Sequence, residues 1–173
     1  MTRIDKSAVL GTIAYTPATN TNTDVEATIT FNKTGVTVTN NAGSTGYTFT
    51  GNNSFTFEFK DAYGNTGSET ATVTWINKSS VTGSISYSPS SATSGNVVAT
   101  LTLSESGTVQ TAGWTATNST TYTKTYTGNI TSDIIVFENQ YGTTGSQVAT
   151  ITRINRTAPV ITLIGENPSR VLQ

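Results

Sequence analysis

Strict alternation of apolar and polar residues runs through most of the chain. Val25, Ala27, Ile29 and Phe31 alternate with Glu26, Thr28 and Thr30; Phe55, Phe57 and Phe59 alternate with Ser54, Thr56, Glu58 and Lys60. A period of two sends the two sets to opposite faces of an extended strand, so each stretch predicts a strand buried on one side. Ile13 with Tyr15, and Ala71 with Val73, predict a first and a last strand of the same kind. No stretch sustains the 3.6-residue period of an amphipathic helix. Pro17, Gly35 and the turn-forming stretch from Asp61 to Gly67 punctuate the rows.

The pattern is written twice. Val97, Ala99, Leu101 and Leu103 follow the first row at a distance of 72 residues, and Asp133, Ile135 and Phe137 follow the Phe row at 78. Arg3-Ile4-Asp5-Lys6-Ser7-Ala8 returns as Trp75-Ile76-Asn77-Lys78-Ser79-Ser80 and again as Arg153-Ile154-Asn155-Arg156-Thr157-Ala158. A joint met three times predicts two units, 5–77 and 78–156, with 157–173 as the truncated opening segment of a following module. Six or seven short strands per unit, separated by turns about every 8–12 residues, predict a β-sandwich. The growth of the offset from 72 to 78 places six extra residues between Gln110 and Tyr126, and they bring Trp114. On the outward face Ile134 and Val136 replace Thr56 and Glu58, which predicts a cover from an edge strand, a neighbouring unit or a partner.

Composition narrows the function. The chain holds 39 Thr and 18 Ser, and hydroxyl-bearing Thr suits a pleated, half-exposed surface. Charged residues make up 11% and the net charge is −1, with no basic run, so no nucleic-acid partner is expected. No apolar stretch nears the roughly 20 residues of a membrane helix, and no membrane insertion is expected. Histidine and cysteine are absent. That removes the usual neutral-pH base and the strongest nucleophile, and disulfides with them. Of the ten carboxylates, Glu58 becomes Val136 in the second copy, so a facing pair of the glycosidase kind is not maintained. The expectation is a protein that is not an enzyme.

The segments YTPAT, DVEATITF, KDAYGNTGS and ATVTWINK of the first copy, with AGWTATNSTTYTKTYTGN of the second, resemble the bacterial immunoglobulin-like repeats of large cell-surface and adhesin proteins. The resemblance covers residues 4–157 and implies two tandem immunoglobulin-like β-sandwiches in an all-β chain. It also implies an extracellular, cell-surface location, with neighbouring modules of the same chain as partners. The expected function is a non-catalytic spacer or stalk. The alternative is an adhesive module binding a host glycan or matrix protein through the longer mid-loop of the second repeat.

Related repeats place a turn Asp near a joint Asp around a calcium ion. Carried over, calcium is the candidate cofactor, and Asp5, Asp61, Asn65 and Asn77 are its candidate ligands, although the second turn reads Glu138-Asn139-Gln140. The other reading of Asp61, Gly64 and Asn65 is that they simply form the turn. A Lys–Asn cross-link needs a buried lysine, whereas Lys33 and Lys60 sit at strand ends or on outward faces. Trp114, Tyr122 and Tyr126 are the candidate sugar-stacking platform, set against the alternative that Trp114 packs the core. Trp75, standing where Arg3 and Arg153 stand in the other joints, is expected between units or half exposed.

Overall fold

The alternating rows become strands. The computed structural model describes residues 5–161, and among them it is all-β. The first half contains β1 (Gly11–Thr16), β2 (Val25–Phe31), β3 (Thr37–Val38), β4 (Gly46–Phe49), β5 (Asn53–Lys60) and β6 (Thr66–Val73). The second contains β7 (Gly83–Ser88), β8 (Val97–Leu103), β9 (Gly107–Val109), β10 (Thr115–Ala116), β11 (Thr121–Tyr126), β12 (Ile130–Asn139) and β13 (Thr144–Ile151). Of the expected opening segment at 157–173, residues 162–173 lie outside the described residues, and 157–161 form no strand.

Four antiparallel sheets result, ordered β1-β2-β4, β3-β5-β6, β10-β11-β8-β7 and β13-β12-β9. Their inward rows make two hydrophobic clusters. One joins Val25, Ala27, Ile29 and Phe49 of the first sheet to Phe57, Phe59, Ala71 and Val73 of the second. The other joins Val97, Ala99, Leu101 and Tyr126 to Ile135, Phe137, Ala149 and Ile151. Neither cluster contains a residue of the other. Apolar rows of two sheets facing one another across a core are consistent with β-sandwich packing. Each fully buried Phe or Ile contributes about 1.5–3 kcal/mol, as an upper estimate.

Two glycines fix how closely the entry segment approaches the last strand. A Cβ on Gly67 would sit 2.5 Å from the Phe59 ring and 2.9 Å from the Val9 carbonyl oxygen. On Gly145 it would sit 2.5 Å from both the Phe137 ring and the Val81 carbonyl oxygen. The extra residues of the second half form β10, which pairs with β11 through Thr115 opposite Thr123 and Ala116 opposite Tyr122. The outward face of β12 and β13 remains exposed: Ile134 lies opposite Val148, and they are 60% and 51% accessible. At the matching place in the first half, Thr56 and Thr70 face each other with their hydroxyls 2.9 Å apart.

Candidate functional site

The Asp61–Gly67 stretch turns β5 into β6. Asp61 accepts backbone N–H bonds from Tyr63 and Asn65 on Oδ1, both at 2.9 Å, and Gly64 adopts a φ of +87° that suits a residue without Cβ. Its second oxygen, Oδ2, accepts the Asn65 amide at 2.8 Å and the Lys33 ammonium at 3.0 Å. Lys33, just past the end of β2, also donates to the Ser7 carbonyl at 2.6 Å and to Asp5 Oδ2 at 3.3 Å. Asn65 Nδ2 reaches the Asp5 carbonyl at 3.0 Å. The turn, the end of β2 and the entry segment are thus tied at one point, beside a cleft of about 380 Å³ lined by Asp5, Ser7, Lys33, Asp61 and Tyr63.

The charges in this cluster are mutually fixed. The Asn65 amide, more than Lys33 and the turn N–H groups, holds the Asp61 carboxyl well below the ordinary carboxylate range, against the opposing pull of desolvation. Hydrogen bonds from the Ser7 hydroxyl and N–H, helped by Lys33, lower Asp5. Desolvation pulls the Lys33 ammonium down, but its bonds to Asp61 and Asp5 outweigh it and the net shift is upward. The Lys33 ammonium thus has its donors engaged by Asp61, Asp5 and the Ser7 carbonyl.

Of the four candidate calcium ligands, Asp5, Asp61 and Asn65 come together and Asn77 does not. The Asn77 N–H donates to the Thr21 carbonyl at 2.9 Å, and its Oδ1 accepts the Ser79 N–H at 2.9 Å. At the cluster itself, the point on which the Asp5, Asp61 and Ser7 oxygens converge is taken by the Lys33 ammonium. A fixed positive charge there repels a divalent ion. Among the described residues, no three carboxylates are grouped closely enough to hold a metal.

The second half repeats the turn with its polarity inverted. Asn139 Oδ1 accepts the N–H groups of Tyr141 and Thr143 at 3.0 and 2.9 Å, as Asp61 does. Its amide nitrogen then donates to Glu105 Oε1 at 3.2 Å. Glu105 stands in for Lys33, and Asn139 for Asp61. The signal was present in the sequence as two replacements at corresponding positions, Lys to Glu and Asp to Asn; their pairing needed the fold.

The proposed stacking platform does not form. Tyr122 and Tyr126 are buried in the second core, and Trp114 packs against it. Tyr122 donates its hydroxyl to the Gly107 carbonyl at 2.6 Å, and the buried Trp114 Nε1 has no acceptor. The alternation that placed Tyr122 and Tyr126 on one face of β11 points that face inward. What sequence reasoning missed here is a part-buried polar triad: Asp133 Oδ2 accepts Lys124 Nζ at 2.7 Å and the Tyr126 hydroxyl. Burial first, then the Asp133 charge, pushes the Tyr126 phenol up. For Asp133 the bonds from Lys124 and Tyr126 outweigh desolvation and lower it.

Both joints are built alike. Ile76 is bridged in parallel to Thr21, and Ile154 to Thr93. Ile76 also exchanges two bonds with the Asn52 side chain, N–H to Oδ1 at 2.8 Å and Nδ2 to carbonyl at 3.0 Å. Ile154 does the same with Asn129, both at 2.9 Å. Of the two expectations for Trp75, the half-exposed one is met: the side chain is half-buried. It packs edge-on against Tyr15 of its own half, ring centroids 5.1 Å apart, and donates Nε1 to the Pro17 carbonyl at 3.1 Å. Arg153 repeats this over Tyr87 at 4.9 Å and donates to Ser90 and Pro89 carbonyls.

Comparison with family models, with curated proteins and with solved structures found no match to this chain.

Proposed function

We propose that the chain is a non-catalytic spacer: two tandem immunoglobulin-like β-sandwich modules, 5–77 and 78–156, of an extracellular bacterial surface or adhesin protein. The observation that carries this reading is the repeated joint. Ile76 and Ile154 are each gripped by a Thr backbone on one side and an Asn amide on the other, at the exit of two hydrophobic clusters that share no residue. A polypeptide that builds one exit twice is built to be strung in series, and per-module stability then sums along the string. Hydroxyl-rich outward faces such as Ser54/Thr72 and Thr56/Thr70 satisfy one another and resist edge and face association between neighbouring stalks.

The clustered polar residues fit this role. Lys33 with Asp5 and Asp61 staples an entry segment to its turn, and Glu105 with Asn139 staples the end of β8 to the second turn, in modules that carry no cysteine. The adhesive alternative loses its aromatic platform through the burial of Tyr122 and Tyr126.

Small-angle scattering on the whole chain tests the arrangement, with an elongated particle of two globular lobes as the expected result. A screen against glycan arrays and extracellular-matrix proteins tests the absence of a ligand. A compact single-lobed particle, or saturable binding that Trp114→Ala abolishes, overturns the spacer reading.

A further inference from the structure

We infer that the joints are shear latches: the three residues that leave each module are locked sideways into it, and this lock sets the resistance of the module to being pulled along the chain. The inference rests on the spacer reading above and says where in the fold the load is carried.

The first joint is an isolated parallel bridge at Ile76, with hydrogen-bond partners on both edges of the segment Trp75 to Asn77. On one edge Thr21 donates its N–H to the Trp75 carbonyl at 3.1 Å and accepts the Asn77 N–H on its own carbonyl at 2.9 Å. On the other edge the Asn52 side chain supplies both an acceptor and a donor to Ile76, as the backbone of a neighbouring strand would. The Ile76 side chain is buried, and the Trp75 indole bonds Pro17. One residue beyond Asn77, Lys78 Nζ reaches back to Asp24 at 2.5 Å. The second joint repeats each part: Thr93 with Arg153 and Asn155 at 2.9 and 2.8 Å, Asn129 with Ile154, and Arg156 with Asn96 at 2.8 Å.

Tension along the chain enters each module at this segment. The bonds on either edge run across the segment, so a pull along it loads them together instead of opening them one at a time. The segment lies between the point of pull and the ladders of β6 on β5 and β13 on β12, so it must give way before the load reaches them. Asn52 and Asn129 act as positioning residues. Each replaces an absent strand with one amide, and each lies outside the hydrophobic clusters.

The test is force-clamp unfolding of the full chain held by its two ends. Two unfolding steps are expected. Asn52→Ala should raise the rate of one of them at fixed force roughly tenfold, the factor that about 1.4 kcal/mol represents, and Asn129→Ala should do so for the other. Thr56→Ala, which removes only the exposed Thr56–Thr70 pair, should change neither. Unchanged rates in both Asn variants overturn the latch. Should a variant fail to fold, hydrogen exchange of the unaltered protein decides: the Ile76 and Ile154 amides should be as protected as those of β5 and β12, and exchange at loop rates overturns the latch. A compact particle in scattering overturns the spacer reading alone, so the two failures are distinguishable.

Discussion

Tyr47 lies flat on Phe55, ring centroids 3.9 Å apart and planes 13° from parallel, in the place where the second half sets Lys124 against Asp133. The register makes the correspondence: Phe49 opposes Val25 and Tyr126 opposes Val97, so Tyr47 and Lys124 sit two residues before equivalent positions. One half fills the space with a stacked aromatic pair and the other with an ion pair. A mostly desolvated ion pair gains from mutual attraction but loses hydration, whereas an aromatic pair gains from both burial and stacking.

The exchange is therefore testable. Asp133→Phe alone should lose about 1–3 kcal/mol of stability, because Lys124 and the Tyr126 hydroxyl lose their shared acceptor. Adding Lys124→Tyr should recover most of that loss by restoring the pair that the first half uses. Urea unfolding of both variants checks it; a double variant no more stable than the single one would show that the two sites are not equivalent.

The Lys33 cluster carries a pH signature at both ends of the scale. The Asp61 and Asp5 carboxyls are lowered from 3.8 by their hydrogen bonds, so their contribution is complete above about that value. It is lost as pH falls further, through the folded-state values. Lys33 is raised from 10.5, so its contribution is complete below that value and is lost as pH rises through the higher folded one. Lys33→Met should flatten the alkaline loss and weaken the acid one. Melting temperatures from pH 2 to 12 read both limbs, and an unaltered profile would count against the cluster.

Calcium at millimolar concentration should leave the melting temperature unmoved, and chelator likewise, because the Lys33 ammonium already occupies the oxygen cage. Differential scanning calorimetry of the unaltered chain is the measurement. A rise with calcium would mean that the ion displaces Lys33.

Gly67→Ala and Gly145→Ala should each destabilise their own half by about 1–3 kcal/mol, since the new methyl meets a ring and a backbone carbonyl that cannot both move aside. Conversely, Ala42 holds a φ of +52°, a region that costs a residue with Cβ about 1–2 kcal/mol. Ala42→Gly should therefore be neutral or mildly stabilising despite the entropy it adds to the unfolded chain. Thermal unfolding of the three variants separates the two signs.

Alternation by itself determined the strands, the inward rows and the doubling. The inward sets of β2, β5 and β8 could be read residue by residue, because a half-buried strand writes its burial at a period of two that neighbours in sequence reveal. The same signal placed Asp61 and Asn65 in a turn. What only the tertiary structure decided were relations between residues distant along the chain. It showed that Lys33, 28 residues before Asp61, closes the cage assigned to calcium. It showed Asn52 gripping Ile76, Trp75 folding back on Tyr15, and the face of Tyr122 and Tyr126 turned into the core. Periodicity reports which side of a strand a residue occupies. Only the packing of one sheet on another decides whether that side meets water, and only the meeting of loops decides which charges meet each other.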